Sequence, residues 1–129
     1  MLSELSNYLT SIILGIMLFF SFVVAPITFT VLDEESSRKF IRKIFPYYYN
    51  VNLVISFLIL FFYVILKTFS LNFYLILAVV ILFALSSYIL MPLINKYRDE
   101  NQDTKFKYSH FISVVINFIQ MIFLVIILI

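Results

Sequence analysis

Four runs of this chain contain no aspartate, glutamate, lysine or arginine: Leu5–Leu32, Ile44–Leu66, Thr68–Asn95 and Tyr108–Ile129. Each is long enough to cross the hydrocarbon core of a bilayer, which takes about 20 mainly apolar residues. Lipid offers the backbone no hydrogen-bond partner, so a span must satisfy its own N–H and C=O groups, and a helix does so. Composition agrees, with 64% hydrophobic and 12% charged residues against about 45–50% and about 25% in soluble domains. The expected fold is all-α: an integral membrane four-helix antiparallel bundle, one domain over residues 1–129, with spans at about 7–31, 47–66, 70–92 and 109–129.

The connections set an orientation. Arg38, Lys39, Arg42 and Lys43 lie between the first two spans, and Lys96, Arg98, Lys105 and Lys107 between the last two. In a four-span chain these connections share a side, so eight of the nine basic residues gather there and only Lys67 lies opposite. Cytoplasmic loops collect Lys and Arg. This places loops 33–46 and 93–108 in the cytoplasm and both termini outside, in a bacterial inner (cytoplasmic) membrane. The first span reads as a retained helix. It is preceded by Glu4 without a basic residue, and it exceeds the roughly 7–15 residues of a signal-peptide core.

Several chemistries are excluded by what the chain lacks. Without cysteine there is no disulfide, thiolate metal site or cysteine nucleophile. With one histidine, a site of two histidine ligands needs a second subunit. A single glycine leaves no phosphate-binding loop. The basic residues sit in short loops, so nucleic acid is not an expected partner. No span carries a carboxylate, and no Ser-His-Asp grouping is in view, which points away from an enzyme.

The last span holds the most informative pattern. Ser109, His110, Ser113, Asn117 and Gln120 fall within an arc of roughly 100° on a helix, while Met121–Ile129 has no polar side chain. The first span carries Asn7, Thr10, Ser11, Ser21, Ala25 and Thr28 on one stripe, and Ser11 and Gly15 form a small-xxx-small pair suited to helix packing. Pro26 predicts a kink. Asp33–Phe45 reads as a short amphipathic helix on the membrane surface between helices 1 and 2. It has acidic residues first, basic residues last and Phe40, Ile41, Ile44 and Phe45 on the other face. Pro46 then opens the second span, and Tyr47, Tyr48 and Tyr49 suit an interfacial aromatic belt. Asn52 inside that span requires another helix or a polar cavity. In the third span Ala84, Ser87, Tyr88, Met91 and Asn95 share a side. The polar residues of all four spans crowd toward the cytoplasmic half, which suggests a shared cavity.

The stretch Lys43-Ile44-Phe45-Pro46-Tyr47-Tyr48-Tyr49 resembles the Lys-x-Phe-Pro-x-Tyr signature of the transmembrane protein 205 family. His110-x-x-Ser113-x-x-x-Asn117 matches the histidine-serine-asparagine spacing of that family's last helix. Gly15, Pro26, Phe29 and Pro92-Leu93-Ile94-Asn95 look similar to its bacterial branch, a domain of unknown function. The resemblance implies a four-helix membrane fold, and through the animal members, associated with resistance to platinum drugs, a role in export. This chain is shorter than those members and has no cysteine. A remoter similarity runs to copper-resistance-type and protoporphyrinogen-oxidase-type membrane bundles, which place histidines against copper or haem.

Three readings follow. The polar stripe holds helices together in a scaffold or interaction protein. Alternatively, the cluster His110, Ser113, Asn117, Gln120, Asn52 and Ser87 handles a small-molecule or metal-ion cargo, in a homo-oligomer because four helices make a thin wall. In the third reading, a haem-binding oxidoreductase of protoporphyrinogen-oxidase-like type uses His110 as one axial ligand and Met91 or a second subunit's histidine as the other. Pro26, Gly15 and Pro46 serve kinks or packing in all three, and the lipid bilayer is the surrounding partner.

Overall fold

The computed structural model describes residues 1–129 and is helical throughout, with no strand. Four helices are long and apolar enough to cross a membrane: α1 (Leu2–Val31), α2 (Glu34–Ile65), α3 (Leu71–Asp99) and α4 (Asp103–Leu128). Each packs on its chain neighbours, and α1 closes on α4, giving an antiparallel four-helix ring. The protein is a multi-pass membrane bundle.

Its connections are shorter than the charge pattern implies. Helices α1 and α2 are joined through Leu32 and Asp33 alone. The Asp33 side chain accepts from the Ser36 N–H at 2.7 Å, and the Ser37 hydroxyl donates to the carbonyls of Thr28 (3.1 Å) and Leu32 (3.3 Å). One turn of sequence thus caps the start of α2 and the end of α1. The stretch 96–107 is not an open loop either. Helix α3 runs to Asp99, and Asn101 takes the left-handed conformation (φ 55°) that asparagine tolerates, turning the chain into α4.

The amphipathic segment 34–45 is helical, but it does not lie apart on the membrane surface. It is the first part of α2, and Pro46 sits about three turns inside that helix rather than at its start. Near the basic end of the bundle, water can satisfy the Arg42 carbonyl that a proline leaves free. Glu34–Arg38 and Glu35–Lys39 form the expected four-apart ion pairs, and Arg42 reaches across to Asp99 and the Asn95 carbonyl of α3. The second helix therefore carries its charged turns out of the bilayer as a stalk clamped to α3.

Two π-turns interrupt the ladder, Phe20–Val24 in α1 and Ser86–Leu90 in α3. Each is followed two residues on by a proline, Pro26 or Pro92. A proline lacks the donor for the carbonyl four residues back and collides with it, and widening the preceding turn relieves both problems. A π-turn stands where a Pro26 kink was expected. Ser21 and Ser87 each stand five positions before these prolines, and each bonds an asparagine on a neighbouring helix, Asn117 of α4 and Asn50 of α2. The hairpins α1–α2 and α3–α4 thus repeat one arrangement.

The interior is not a dry aliphatic core. Of 22 buried residues, half are polar, among them Thr10, Asn52, Ser56 and Gln120 with essentially no exposure. Small polar side chains let helix backbones approach closely. Ile13, Met17, Ile59, Ile76, Val79, Phe83 and Leu124 fill the space between them. Ser11 and Gly15 face outward, and a Cβ on Gly15 would meet nothing within 4 Å.

The hydrogen bonds from Ser36 hold the Asp33 carboxyl below its ordinary range. The unfolded chain then binds the proton more readily, so this cap's contribution is present above the ordinary carboxylate pKa and fades as pH falls through the lowered folded-state value. Amide exchange at Ser36, corrected for its intrinsic pH dependence, is expected to quicken on acidification past that point. In Asp33→Ser, which caps without titrating, it should not.

Candidate functional site

The three connections of this bundle leave one end rich in arginine, and beneath it a cavity of ≈ 270 Å³ enters the bundle. Helices α1, α2 and α4 build most of its wall, with the end of α3 at the mouth.

Its floor is a hydrogen-bonded row across three helices. The Tyr48 hydroxyl of α2 donates to Asn117 Oδ1 at 2.8 Å, and Asn117 Nδ2 of α4 donates to the Ser21 hydroxyl of α1 at 2.8 Å. The π-turn places Ser21 where it can meet Asn117. Phe20 stacks on Tyr48, with ring centroids 4.1 Å apart and planes at 20°, and fixes the phenol's direction. An amide nitrogen has two protons, and the protein supplies a partner for only one of Asn117's.

The mouth lies about 10 Å along α4, seven residues toward its start. There His110 is exposed and its ring lies parallel to Phe106 (3°, centroids 5.9 Å), with the Arg98 guanidinium 4.6 Å above Phe106. Arg38 and Arg42 complete the rim. Each has a carboxylate neighbour: Arg38 and Arg98 share Glu34, and Arg42 pairs with Asp99. Three guanidiniums therefore stand against two carboxylates.

The sequence-derived cluster divides here. His110, Ser113 and Asn117 all line the cavity. Gln120, Asn52 and Ser87 do not. Gln120 is buried and donates to the Val79 carbonyl of α3 at 3.1 Å. Ser87 donates to Asn50 at 3.2 Å. Asn52 is wholly buried, and neither its oxygen nor its nitrogen has a hydrogen-bond partner. The serines expected to bond between helices mostly return to their own: Ser113 to the His110 carbonyl at 2.6 Å, and Ser109 to the Lys105 carbonyl at 2.7 Å. Tyr48 is expected in an interfacial belt, yet it is 6% exposed, while Tyr49, which shares a helix face with Asn52 and Ser56, is buried with them and Tyr47 faces outward. The aromatic signature gave no hint of Tyr48's burial, which depends on Pro46 lying inside α2.

The model of a domain of unknown function, DUF4149, matches residues 8–103 of this chain. The chain belongs to that family. The match takes in Ser21 and Tyr48 but stops at the first residue of α4, before Asn117. An uncharacterized protein of Aquifex aeolicus (strain VF5) is 31% identical over 119 residues, covering 91% of this chain and 86% of that protein. No solved structure matches it.

The haem ligation expected from His110 and Met91 meets a size limit. Both residues line the cavity, but its ≈ 270 Å³ lies under the ~300–1,000 Å³ of ordinary small-molecule sites and does not enclose a tetrapyrrole. No group of three or more His, Cys, Asp or Glu side chains that could hold a metal ion forms anywhere in the chain.

Proposed function

We propose that this protein binds and transports a small organic molecule across a bacterial cytoplasmic membrane, with its basic end and the cavity mouth facing the cytoplasm and both termini outside. What supports the reading is the Tyr48–Asn117–Ser21 row at the cavity floor, with an amide proton free to meet a ligand. A polar group inside a bundle facing lipid is costly unless it has partners, and this row lies where a ligand from the basic end would reach it. The absence of a metal-ligating cluster turns the reading from an ion toward an organic molecule. The His110–Ser113–Asn117 spacing resembles that of the transmembrane protein 205 family, whose animal members are associated with platinum-drug resistance, and so favours export. Four helices form a thin wall, so a second copy completes the path.

The natural lack of cysteine makes the test clean. Ala25→Cys, on the cavity wall, is expected to react with a membrane-impermeant maleimide added from the cytoplasmic face. Val54→Cys, 67% exposed on the outside of the bundle, should stay inert, because a thiol in lipid does not ionise. Equal inertness of the two from both faces would refute the cavity. Gln120→Cys, buried beyond the floor, should react slowly from the opposite face as the path opens. Lasting inertness there would reduce the protein to a binder.

A further inference from the structure

We infer that the cavity's ligand is a single-chain anionic amphiphile, its carboxylate or phosphate head held by Arg98, Arg42 and Arg38 and its hydrocarbon running out between α1 and α4. The inference rests on the proposed small-molecule reading and names the class of molecule.

Two observations carry it, one for each end of such a molecule. At the rim, three guanidiniums from α2 and α3 converge, all less than half exposed. Guanidinium donors match the paired oxygens of a carboxylate or phosphate. Glu34 and Asp99 pair with them, but ion pairs this open to water are individually weak and leave one positive charge over. An incoming anion balances that charge, and Arg98, over the Phe106 ring, already faces the cavity.

The opposite wall opens sideways. Phe22, Phe29 and Phe118 line the cavity and are 57%, 61% and 45% exposed. All three sit on α1 and α4, the two helices that close this side of the cavity. Phe22 of α1 meets Phe118 of α4 edge-on at 6.0 Å (71°), a contact two aromatic rotamers can open. At ≈ 270 Å³, below the ~300–1,000 Å³ of ordinary small-molecule sites, the cavity takes a head and the start of a chain. The remaining chain must leave through this seam into the bilayer. The seam is closed by one pair of rings, and a gap of that width matches an occupant with one chain.

The test uses the purified full-length protein in neutral detergent and a dansyl-labelled fatty acid, whose emission shifts to the blue and brightens on entering an apolar site. Lauric acid and lauryl phosphate are expected to displace the probe. Lauryl alcohol, the same chain without charge, should need at least tenfold more, and inorganic phosphate should do nothing. Arg98→Gln and Arg42→Gln are expected to weaken the probe about tenfold or more. Arg98→Lys should recover part of the loss, and Lys39→Gln, outside the cavity, should change nothing.

Equal displacement by acid and alcohol would overturn the head-group assignment. Displacement by phosphatidylglycerol as effective as by lauric acid would overturn the single chain. If an arginine variant fails to elute as a monodisperse peak, the competitor series on the unaltered protein decides alone. A probe that never binds while Ala25→Cys is labelled from the cytoplasm overturns the amphiphile and leaves the cavity standing. Failure of both removes the cavity itself.

Discussion

Replacing Asn52 by leucine is expected to stabilise the bundle, against the usual result of altering a fully buried residue. Asn52 has no exposed surface, and both polar atoms of its amide lack a partner. A buried polar group left without a hydrogen bond costs about 1–3 kcal/mol. Leucine has a similar branched shape, so it removes that cost without opening a hole, and the gain is expected within that range. The increase should appear as a higher temperature at which the detergent-solubilised protein loses its monodisperse gel-filtration peak. A lower temperature would mean that an ordered water or ligand satisfies the amide and that the variant strands it. Asn52 lies outside the amphiphile cavity, so the probe affinity should stay as in the unaltered chain and separate a stability effect from a binding one.

Asn52 also marks the limit of what these residues reveal in one dimension. The four spans were plain, since a run with no charge and about 20 residues has few other fates. His110, Ser113 and Asn117 were legible as one site because they lie on a regular stretch of α4, where 100° per residue holds. Ser86 and Ser87 are both buried although they are adjacent, and Tyr88 points outward. A π-turn widens the buried arc, and helical spacing cannot show that before the turn is known. Asn52 and Gln120 share the right face but sit at depths where the neighbouring helix offers apolar side chains or a single carbonyl, and depth is set by the partner helix. The charged stretches misled for a third reason. Charge marks where the chain leaves the lipid and not where a helix ends, so α2 and α3 both continue past the last apolar residue. Tyr48 followed from that error, for once Pro46 is taken as a helix start its neighbours fall at the headgroups instead of under the cavity.

The π-turn in α1 makes a sharper prediction. A π-turn fits one more residue than an α-turn into the same stretch of helix, so removing a residue from Phe20–Val24 restores α geometry while leaving both flanks in register. Deletion of Val23, which is 37% exposed, should therefore keep Ile13 and Met17 on one side and Thr28 on the other facing the interior. The protein should still insert and elute as one species. It loses the position of Ser21, hence one interhelical hydrogen bond, worth about 0.6 kcal/mol on average in membranes. The dansyl probe, whose site the π-turn shapes, should bind at least tenfold more weakly. Deleting Ile81, in the regular part of α3 and 50% exposed, is the contrast. The residues between it and the π-turn at Ser86–Leu90 rotate by about 100°, turning Phe83 from the interior toward lipid. Removing one buried phenylalanine costs about 3–5 kcal/mol, so no monodisperse protein is expected. Fluorescence-detected gel filtration of the two deletions side by side measures the difference. If the Val23 deletion collapses like that of Ile81, then the π-turn is not an absorbed insertion but a hinge on which the packing of α1 depends.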